Sequence, residues 1–331
     1  MTTPDFLTRL IKNKNEYSLA DVDKKTIQRE GIKKFIYNIL NSSKYRAQAT
    51  SEDYLKKMVD KINLCVNCQV PIHLTLPFGA TKNPYLPSAP GIDWAEVFNI
   101  AYLREYLSPI AKAYKYGVVL EYVSVGVFEE RVNRIPQKDV TLYDRQFTKL
   151  LNFYQKYLPK NFKLTYSRVT DKVPAKEAIR RIDLKIIDLR KNWNDQPQEV
   201  RGRKLFRAQR NCIYDPRAKN LQTILLNSAL GHDAFCSECW STENAPWDEK
   251  DMITLGHNYT TGWAIHVRST RGSSVNFWSG VGLVIKRGDK YIPTVLSPKQ
   301  FEVSKSRIKS EKTEIFTKVF PKLSILPVLY E

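Results

Sequence analysis

Residues 71–91, PIHLTLPFGATKNPYLPSAPG, carry the clearest structural signal in this chain. The first six, PIHLTL, are mostly apolar and are followed by turn-forming residues, which predicts a strand. Residues 77–91 are dense in Gly, Pro, Asn and Ser and predict a loop. Asp93 and Glu96 follow in the spacing of a capping box, which indicates the start of a long helix. The order strand, loop, helix is the building unit of α/β folds.

The segments on both sides extend this alternation. Downstream, GVVLEYVS (117–124) and FKLTYSRV (162–169) have strand patterns, and a helix is predicted between them at 139–157. Upstream, residues 27–42 and 51–64 place apolar side chains three and four positions apart, which is the period of an amphipathic helix. These patterns predict an α/β fold with a Rossmann-like parallel or mixed sheet and helices packed on it.

The second half of the chain has a different pattern. Residues 174–231 are helical in pattern and basic, most of all in RGRKLFRAQR at 201–210. Strand patterns return at 263–270, 275–286 and 291–295 and predict an antiparallel meander. The predicted parts are an N-terminal helical segment (1–66), an α/β sheet domain (67–172), a helical basic segment (173–232) and a C-terminal strand-rich part that completes the site (233–331).

Positive charge is the main compositional feature. Lys and Arg number 53 against 34 Asp and Glu, which gives a net charge of +19. This excess favours anionic partners such as phosphates or nucleic acid. The apolar fraction of 42% is typical of a globular protein, and no stretch has the length of a membrane span or a signal-peptide core. We therefore expect a cytoplasmic protein without a membrane partner.

Four of the five cysteines form two Cys-x2-Cys motifs, Cys65 with Cys68 and Cys236 with Cys239. Two thiolates at this spacing provide one edge of a tetrahedral zinc site, so the two motifs together predict a structural zinc if the fold brings them together. The alternatives are a redox dithiol and buried cysteines without a chemical role. Zinc together with this net charge supports one alternative function, that of a zinc-stabilised nucleic-acid or tRNA-binding or modifying protein.

The loop after the first predicted strand is the place where α/β sheets bind ligands. Its polar residues Thr81, Lys82 and Asn83 are candidates for binding an anionic group. The Lys82 ammonium would bind a phosphate or, when desolvated, attack a carbonyl carbon. The alternative for Lys82 is a solvated loop lysine in a chain that contains many.

Three other places combine residues with chemical potential. Glu121 interrupts an apolar strand, so it is either an acid–base group or a member of a structural ion pair. His266 and Arg268 lie two residues apart in a predicted strand and project from one face, which suits an anionic substrate or a polar exposed face. Residues 234–247, with Trp240, have little periodicity and predict an ordered loop that lines a pocket.

At motif level the chain resembles the isocyanide synthases of the pyoverdine and dityrosine biosynthesis group, as a divergent member. The family has a strand ending in Leu-Pro-x-Phe, then a Lys/Pro/Asn loop and a Pro-Asp helix start. Residues 76–84 and 90–93 are similar to that layout. Further similar positions are Ser124, Gly126, Phe128, Asp139, Tyr143 and the strand around Arg268. Val125 stands where the family carries an Asp.

The resemblance implies an enzyme that joins the amine of an amino acid to the carbonyl of a pentulose phosphate. Fragmentation of the sugar then leaves an isocyanide carbon on the nitrogen. This chemistry implies small-molecule substrates and requires neither a metal nor a nucleotide, so the predicted zinc would be structural. The implied site consists of Lys82, Glu121 and His266 for catalysis and of Thr81, Asn83, Tyr122, Ser124, Trp240 and Arg268 for substrate binding.

Overall fold

The structure is a computed structural model that describes residues 2–12, 19–239, 252–257, 263–316 and 319–331. The helices of these residues are α1 (Thr3–Lys12), α2 (Asp21–Leu40), α3 (Glu52–Asn67), α4 (Trp94–Ala113), α5 (Glu129–Asn133), α6 (Gln137–Gln155), α7 (Ala175–Lys191), α8 (Gln198–Asn211), α9 (Leu221–Cys239) and α10 (Pro298–Ser304). The strands are β1 (Ile72–Phe78), β2 (Val118–Ser124), β3 (Phe162–Arg168), β4 (Met252–Gly256), β5 (Ile265–His266), β6 (Val281–Arg287), β7 (Lys290–Leu296), β8 (Ile308–Lys312) and β9 (Ile325–Tyr330).

Five parallel strands form the first sheet, in the order β3-β2-β1-β4-β5. The three strands predicted around residues 71–76, 117–124 and 162–169 are its β1, β2 and β3. Helices connect them, as parallel pairing requires. The predicted α/β class is confirmed.

One face of this sheet carries the main core. Phe78 on β1 and Tyr122 on β2 point to this face, and both rings contact Phe147 of α6, at centroid distances of 5.1 and 5.0 Å. Helix α4 crosses the same core and also contacts β6 of the second sheet. Because α4 has apolar neighbours on most sides, it is buried over nearly its whole length.

The helical middle of the chain packs on a second core. Val123, which points to the opposite face from Tyr122, belongs to a buried cluster with Ile182 of α7 and Leu230 of α9. Helix α9 extends to Cys239. Leu230 and Ala234, one turn apart, are both fully buried, so the apolar face of the helix continues past residue 232. The first residues of the predicted loop 234–247 are therefore helical, and the predicted division at 232 falls inside α9.

The second sheet has the order β7-β6-β9-β8. Strands β6 and β7 form the predicted antiparallel hairpin, and Gly288 in its turn has the positive φ of 55° that glycine permits. Strand β9 pairs parallel to β6 and antiparallel to β8, so the sheet is mixed and not a simple meander.

The segment at 263–270 does not belong to that second sheet. Its strand β5 pairs parallel with β4, so it forms an edge of the first sheet. Residues 45–47 cover it on the other side, where the Ala47 amide donates to the His266 carbonyl oxygen at 2.7 Å. Local alternation predicts a strand but contains no information about which sheet receives it. Among the described residues, no helix combines the length and apolarity needed to cross a membrane.

Candidate active site

The carboxyl ends of β1, β2 and β4 meet where the strand order reverses. The chain moves from β1 to β2 in one direction and later places β4 on the other side of β1. Open α/β sheets bind ligands in such a crevice. A cavity of about 690 Å³ lies there, and it is lined by Gly79, Val125 and His257, each of which directly follows one of the three strands.

His257 lines this cavity and has a buried ring nitrogen without a partner in the described part of the chain. Its side chain is fully buried, and Nδ1 lies 2.9 Å from the carbonyl oxygen of Val267, to which it donates. Nε2 therefore carries the lone pair, and it has no hydrogen-bond partner among the described residues. Burial lowers the pKa of His257 to about 4, so the ring is neutral at physiological pH. A buried acceptor of this kind needs a donor from a ligand or water.

Glu129 of α5 supplies a carboxyl group to the same cavity. Asn133, one turn later on the helix, donates to Oε2 at 2.8 Å. The other oxygen, Oε1, lies beside Gly79, where an added Cβ atom would be 3.3 Å from it and 2.8 Å from Nε1 of Trp278. No cation pairs with Glu129 among the residues that the structure describes, and burial raises its pKa. These are properties of a group that exchanges protons.

The wall formed by α8 is cationic. Arg207 donates to Oδ1 of Asp233 at 2.8 Å, and the ammonium of Lys204 lies 2.5 Å from the other oxygen of that carboxylate. The Nε atom of Arg207 is buried without a partner in the described structure. Arg210 is exposed, with its guanidinium 5.8 Å from the centroid of the Phe206 ring. Lys204 and Arg207 thus share one carboxylate, and Arg210 has no ion pair among the described residues, which leaves capacity for an anionic ligand.

Cys236 and His232 form a close pair in the cavity wall. The thiol sulfur lies 3.3 Å from Nδ1 of His232, one helical turn away on α9. Burial raises the pKa of Cys236 to about 12, and burial together with the Arg207 guanidinium lowers the pKa of His232 to about 3. Both groups are therefore neutral near pH 7, and the pair is not a thiolate with an imidazolium.

Two of the predicted substrate-binding residues line this cavity. Thr81 and Asn83 do so because the loop that follows β1 turns along its edge. The Asn83 amide nitrogen donates to the carbonyl oxygen of Arg210 at 3.1 Å, which attaches the loop to α8. The loop after β1 thus contributes Thr81 and Asn83 to the lining of the cavity.

Lys82, between them, points the other way. Its side chain has no exposure, and Nζ lies 2.9 Å from Oδ1 of Asp93, Oε1 of Glu96 and the carbonyl oxygen of Phe277. Lys82 is therefore not a solvated loop lysine. Its ammonium is not placed to bind a phosphate either, because every acceptor around Nζ belongs to the protein. Lys82 is a structural cation behind the cavity wall.

Glu121, Tyr122 and Ser124 lie on β2 but do not line the cavity. The Glu121 carboxylate contacts Nε2 of His73 at 2.9 Å and accepts a short hydrogen bond from Ser167. Of the two predicted roles for Glu121, this arrangement agrees with the structural one. The Tyr122 hydroxyl donates to Asn99 in the core at 3.1 Å. The Ser124 hydroxyl donates to a buried carboxylate, Asp144, at 3.3 Å. Strand alternation sends these side chains above or below the sheet, whereas the cavity lies beyond its end.

His266 and Arg268 also lie away from the cavity lining. His266 is buried on β5 beside His257, whose pKa it helps to lower. Nε of Arg268 donates to the carbonyl oxygen of Arg46 at 3.2 Å, so this guanidinium faces the segment before α3. Trp240 lies outside the described residues.

The two cysteine motifs lie at opposite ends of the first sheet. Cys65 is buried at the end of α3, just before β1 begins, and Cys68 is exposed there. Cys236 lines the cavity beyond the far end of β1, and the seven residues of that strand span about 20 Å. Cys65 and Cys236 are thus too far apart to share the predicted zinc. No described group of three His, Cys, Asp or Glu side chains is arranged to hold a metal, and the Cys239 side chain lies outside the described residues.

Sequence reasoning missed Glu129, Arg207, Arg210 and His257. A local signal existed only for His257, which follows the short apolar run MITLG. The two arginines lie in a basic helix whose charge pattern also suits solvent exposure. Glu129 and Glu130 are neighbours in a helix of five residues. The sequence alone does not show that Glu129 lines the cavity whereas Glu130 is exposed.

No protein-family model matches this chain, and no curated protein sequence does. Among solved structures, a CDPS from Fluoribacter dumoffii aligns with a TM-score of 0.28 and 8% identity over 55% of this chain and 75% of that one. The crystal structure of the PvcA protein from Pseudomonas aeruginosa aligns with a TM-score of 0.59 and 16% identity, over 90% of this chain and 99% of that one. This chain therefore has the fold of PvcA over nine-tenths of its length.

Proposed function

We propose that this protein is an isocyanide synthase-like enzyme that condenses the amine of an amino acid with the carbonyl of a sugar phosphate. The observation that carries the proposal is the cavity at the reversal point of the sheet, which is lined by the cations of α8, the Glu129 carboxyl group of α5 and the His257 imidazole that follows β4. PvcA is a pyoverdine and isocyanide synthase-family protein, so the shared fold agrees with the motif resemblance.

The cationic wall suits the anionic ends of both substrates. A phosphate or carboxylate accepts parallel hydrogen bonds from a guanidinium group, and Arg207 and Arg210 offer two such groups. Since Asp233 already binds Arg207 and Lys204, the exposed Arg210 is the cation with most freedom to meet an incoming phosphate.

The apolar lining suits the side chain of an amino acid. Trp263, Phe235 and Trp278 line the cavity, and the Trp278 ring also contacts His257 at a centroid distance of 5.8 Å. Aromatic walls bind apolar groups and exclude water, which favours the imine over its hydrolysis.

Nucleic-acid binding is the alternative that the net charge predicts, and α8 offers it little support. Three of its cations pair with carboxylates, Arg203 with Glu199 and both Lys204 and Arg207 with Asp233. Such binding would weaken steeply as salt is raised, and a titration with polynucleotide at two salt concentrations tests for it.

The enzymatic proposal is tested by incubating the purified protein with each of the twenty amino acids and a pentulose phosphate such as ribulose 5-phosphate. Mass spectrometry is expected to show, for at least one amino acid, a product in which an isocyanide replaces the amine. Heat-denatured protein and mixtures without sugar phosphate are the controls. Absence of product with all twenty, from protein shown to be folded, contradicts the proposal.

A further inference from the structure

We infer that Glu129 transfers protons between the amine and the carbonyl oxygen, and that His257 holds the reacting molecules by accepting a hydrogen bond at Nε2. This inference rests on the proposed function and assigns roles that the sequence resemblance gave to Glu121 and His266. Both residues directly line the cavity, whereas Glu121 has its partners inside the sheet and His266 lies on β5.

The position of Glu129 favours proton exchange. Asn133 fixes one carboxyl oxygen, which leaves Oε1 beside Gly79 at the carboxyl end of β1. The half-buried Glu129 carboxyl group has no cationic partner among the described residues, so it is easier to protonate than an exposed carboxyl group, and its pKa is raised toward the range in which it can both accept and release a proton. The other titratable or charged side chains lining the described cavity are Arg207, Arg210, His232, Asp233, Cys236 and His257.

The proposed step is balanced within the substrates. The amine nitrogen bonds to the carbonyl carbon, and its two protons pass in succession through the Glu129 carboxyl group to the carbonyl oxygen. The C–O bond then breaks, water leaves and a C=N bond is left. Glu129 ends in the ionisation state in which it began, so no further reactant is needed.

The geometry of His257 fits an acceptor and not a base. Its Nδ1 proton is bound to the Val267 carbonyl oxygen, so Nε2 is restricted to accepting. The rings of Phe277 and Trp278, at centroid distances of 5.8 Å, fix its orientation. A buried neutral imidazole resists protonation, and it therefore orients an N–H or O–H group without removing its proton.

Kinetic variants separate the two roles. With the active amino acid and ribulose 5-phosphate, Glu129→Gln is expected to lower kcat at least about 100-fold with little change in KM. His257→Gln keeps an oxygen near the Nε2 position and is expected to lower kcat less than about tenfold. His257→Asn keeps only the bond to Val267 and should raise KM at least tenfold. The matched control is Glu130→Gln, which changes the exposed acid next to Glu129 and should leave kcat within about twofold.

A titration without substrate tests Glu129 independently of the proposed reaction. Trp278 lies beside the Glu129 carboxyl group, so the difference in fluorescence between wild type and Trp278→Phe is expected to titrate above the ordinary carboxyl value of about 4.3. The transition should vanish in Glu129→Gln. It should move further upward in Asn133→Ala, which removes the hydrogen bond that stabilises the carboxylate.

The outcomes are distinguishable. If no amino acid gives product, the proposed function fails, and the fluorescence titration still decides whether Glu129 is a perturbed carboxyl group. A transition at the ordinary value, or one that survives in Glu129→Gln, overturns the inference. So does a kcat loss in His257→Gln as deep as that in Glu129→Gln, because His257 would then be the proton-transferring group.

Discussion

The Nζ atom of Lys82 lies 2.9 Å from Oε1 of Glu96, and neither side chain is exposed to solvent. Glu96, the third residue of α4, also forms the capping box with Asp93 at the start of that helix, and its Oε1 accepts a hydrogen bond from Tyr143 at 2.8 Å. This ion pair therefore connects the loop after β1, the start of α4 and α6. It fixes the loop on which Thr81 and Asn83 meet the cavity.

Lys82→Met is expected to destabilise the fold by about 3–5 kcal/mol, because it leaves Asp93 and Glu96 buried without their cation. Urea denaturation followed by far-UV circular dichroism measures the loss. Lys24→Met removes an exposed lysine that pairs with Asp21, and it should change the free energy of unfolding by less than about 0.5 kcal/mol. Equal stability of the two variants would contradict a structural role for Lys82.

The contribution of Glu96 to stability should fall as the pH rises from 4.5 to about 7. Burial raises the pKa of Glu96 to about 7, from 4.5 in the unfolded chain, although Lys82 acts in the opposite direction. The folded state therefore binds more protons than the unfolded state in this window, and its free energy of unfolding decreases with pH. Urea midpoints at several pH values should show that the difference in stability between wild type and Glu96→Gln shifts against wild type as the pH rises through this window. Parallel profiles would exclude Glu96 as the source.

Gly79→Ala should impair the cavity. The added Cβ atom would lie 2.8 Å from Nε1 and 2.9 Å from Cδ1 of Trp278, so the indole must move. We expect a stability loss of about 1–3 kcal/mol and a loss of ligand binding followed by tryptophan fluorescence. Gly202→Ala is the control, because nothing lies within 4 Å of its added Cβ and helix propensity improves. Unchanged binding in Gly79→Ala would show that Trp278 does not shape the site.

Arg210→Gln is expected to weaken phosphate binding about tenfold, because it removes the exposed guanidinium at the cavity wall. Calorimetric titration with ribulose 5-phosphate or inorganic phosphate measures the affinity. Arg203→Gln lies on the same helix and removes the same charge, but its side chain pairs with Glu199. The same loss in both variants would indicate a general effect of net charge and not a site.

Local sequence patterns were sufficient for the first sheet and the start of α4. Strands β1, β2 and β3 lie within two residues of their predicted bounds, because apolar runs bounded by turn residues are local properties. The Asp93 and Glu96 capping box forms as its spacing predicts, since both hydrogen bonds close within one helical turn. The position of a ligand cavity beyond β1 follows from the same strand, loop and helix order.

Only the tertiary structure decided which side chains meet in that cavity. Gly79, Glu129, Arg207, His257 and Trp278 come from segments far apart in the chain, and no local pattern brings them together. Lys82 shows the same limit, because its sequence surroundings indicate a loop, while burial, the carboxylates of Asp93 and Glu96 and the distant carbonyl oxygen of Phe277 make it part of the core. The sequence determined the elements through short-range periodicity and capping. Contacts across long sequence separations, which depend on how those elements pack, determined the site.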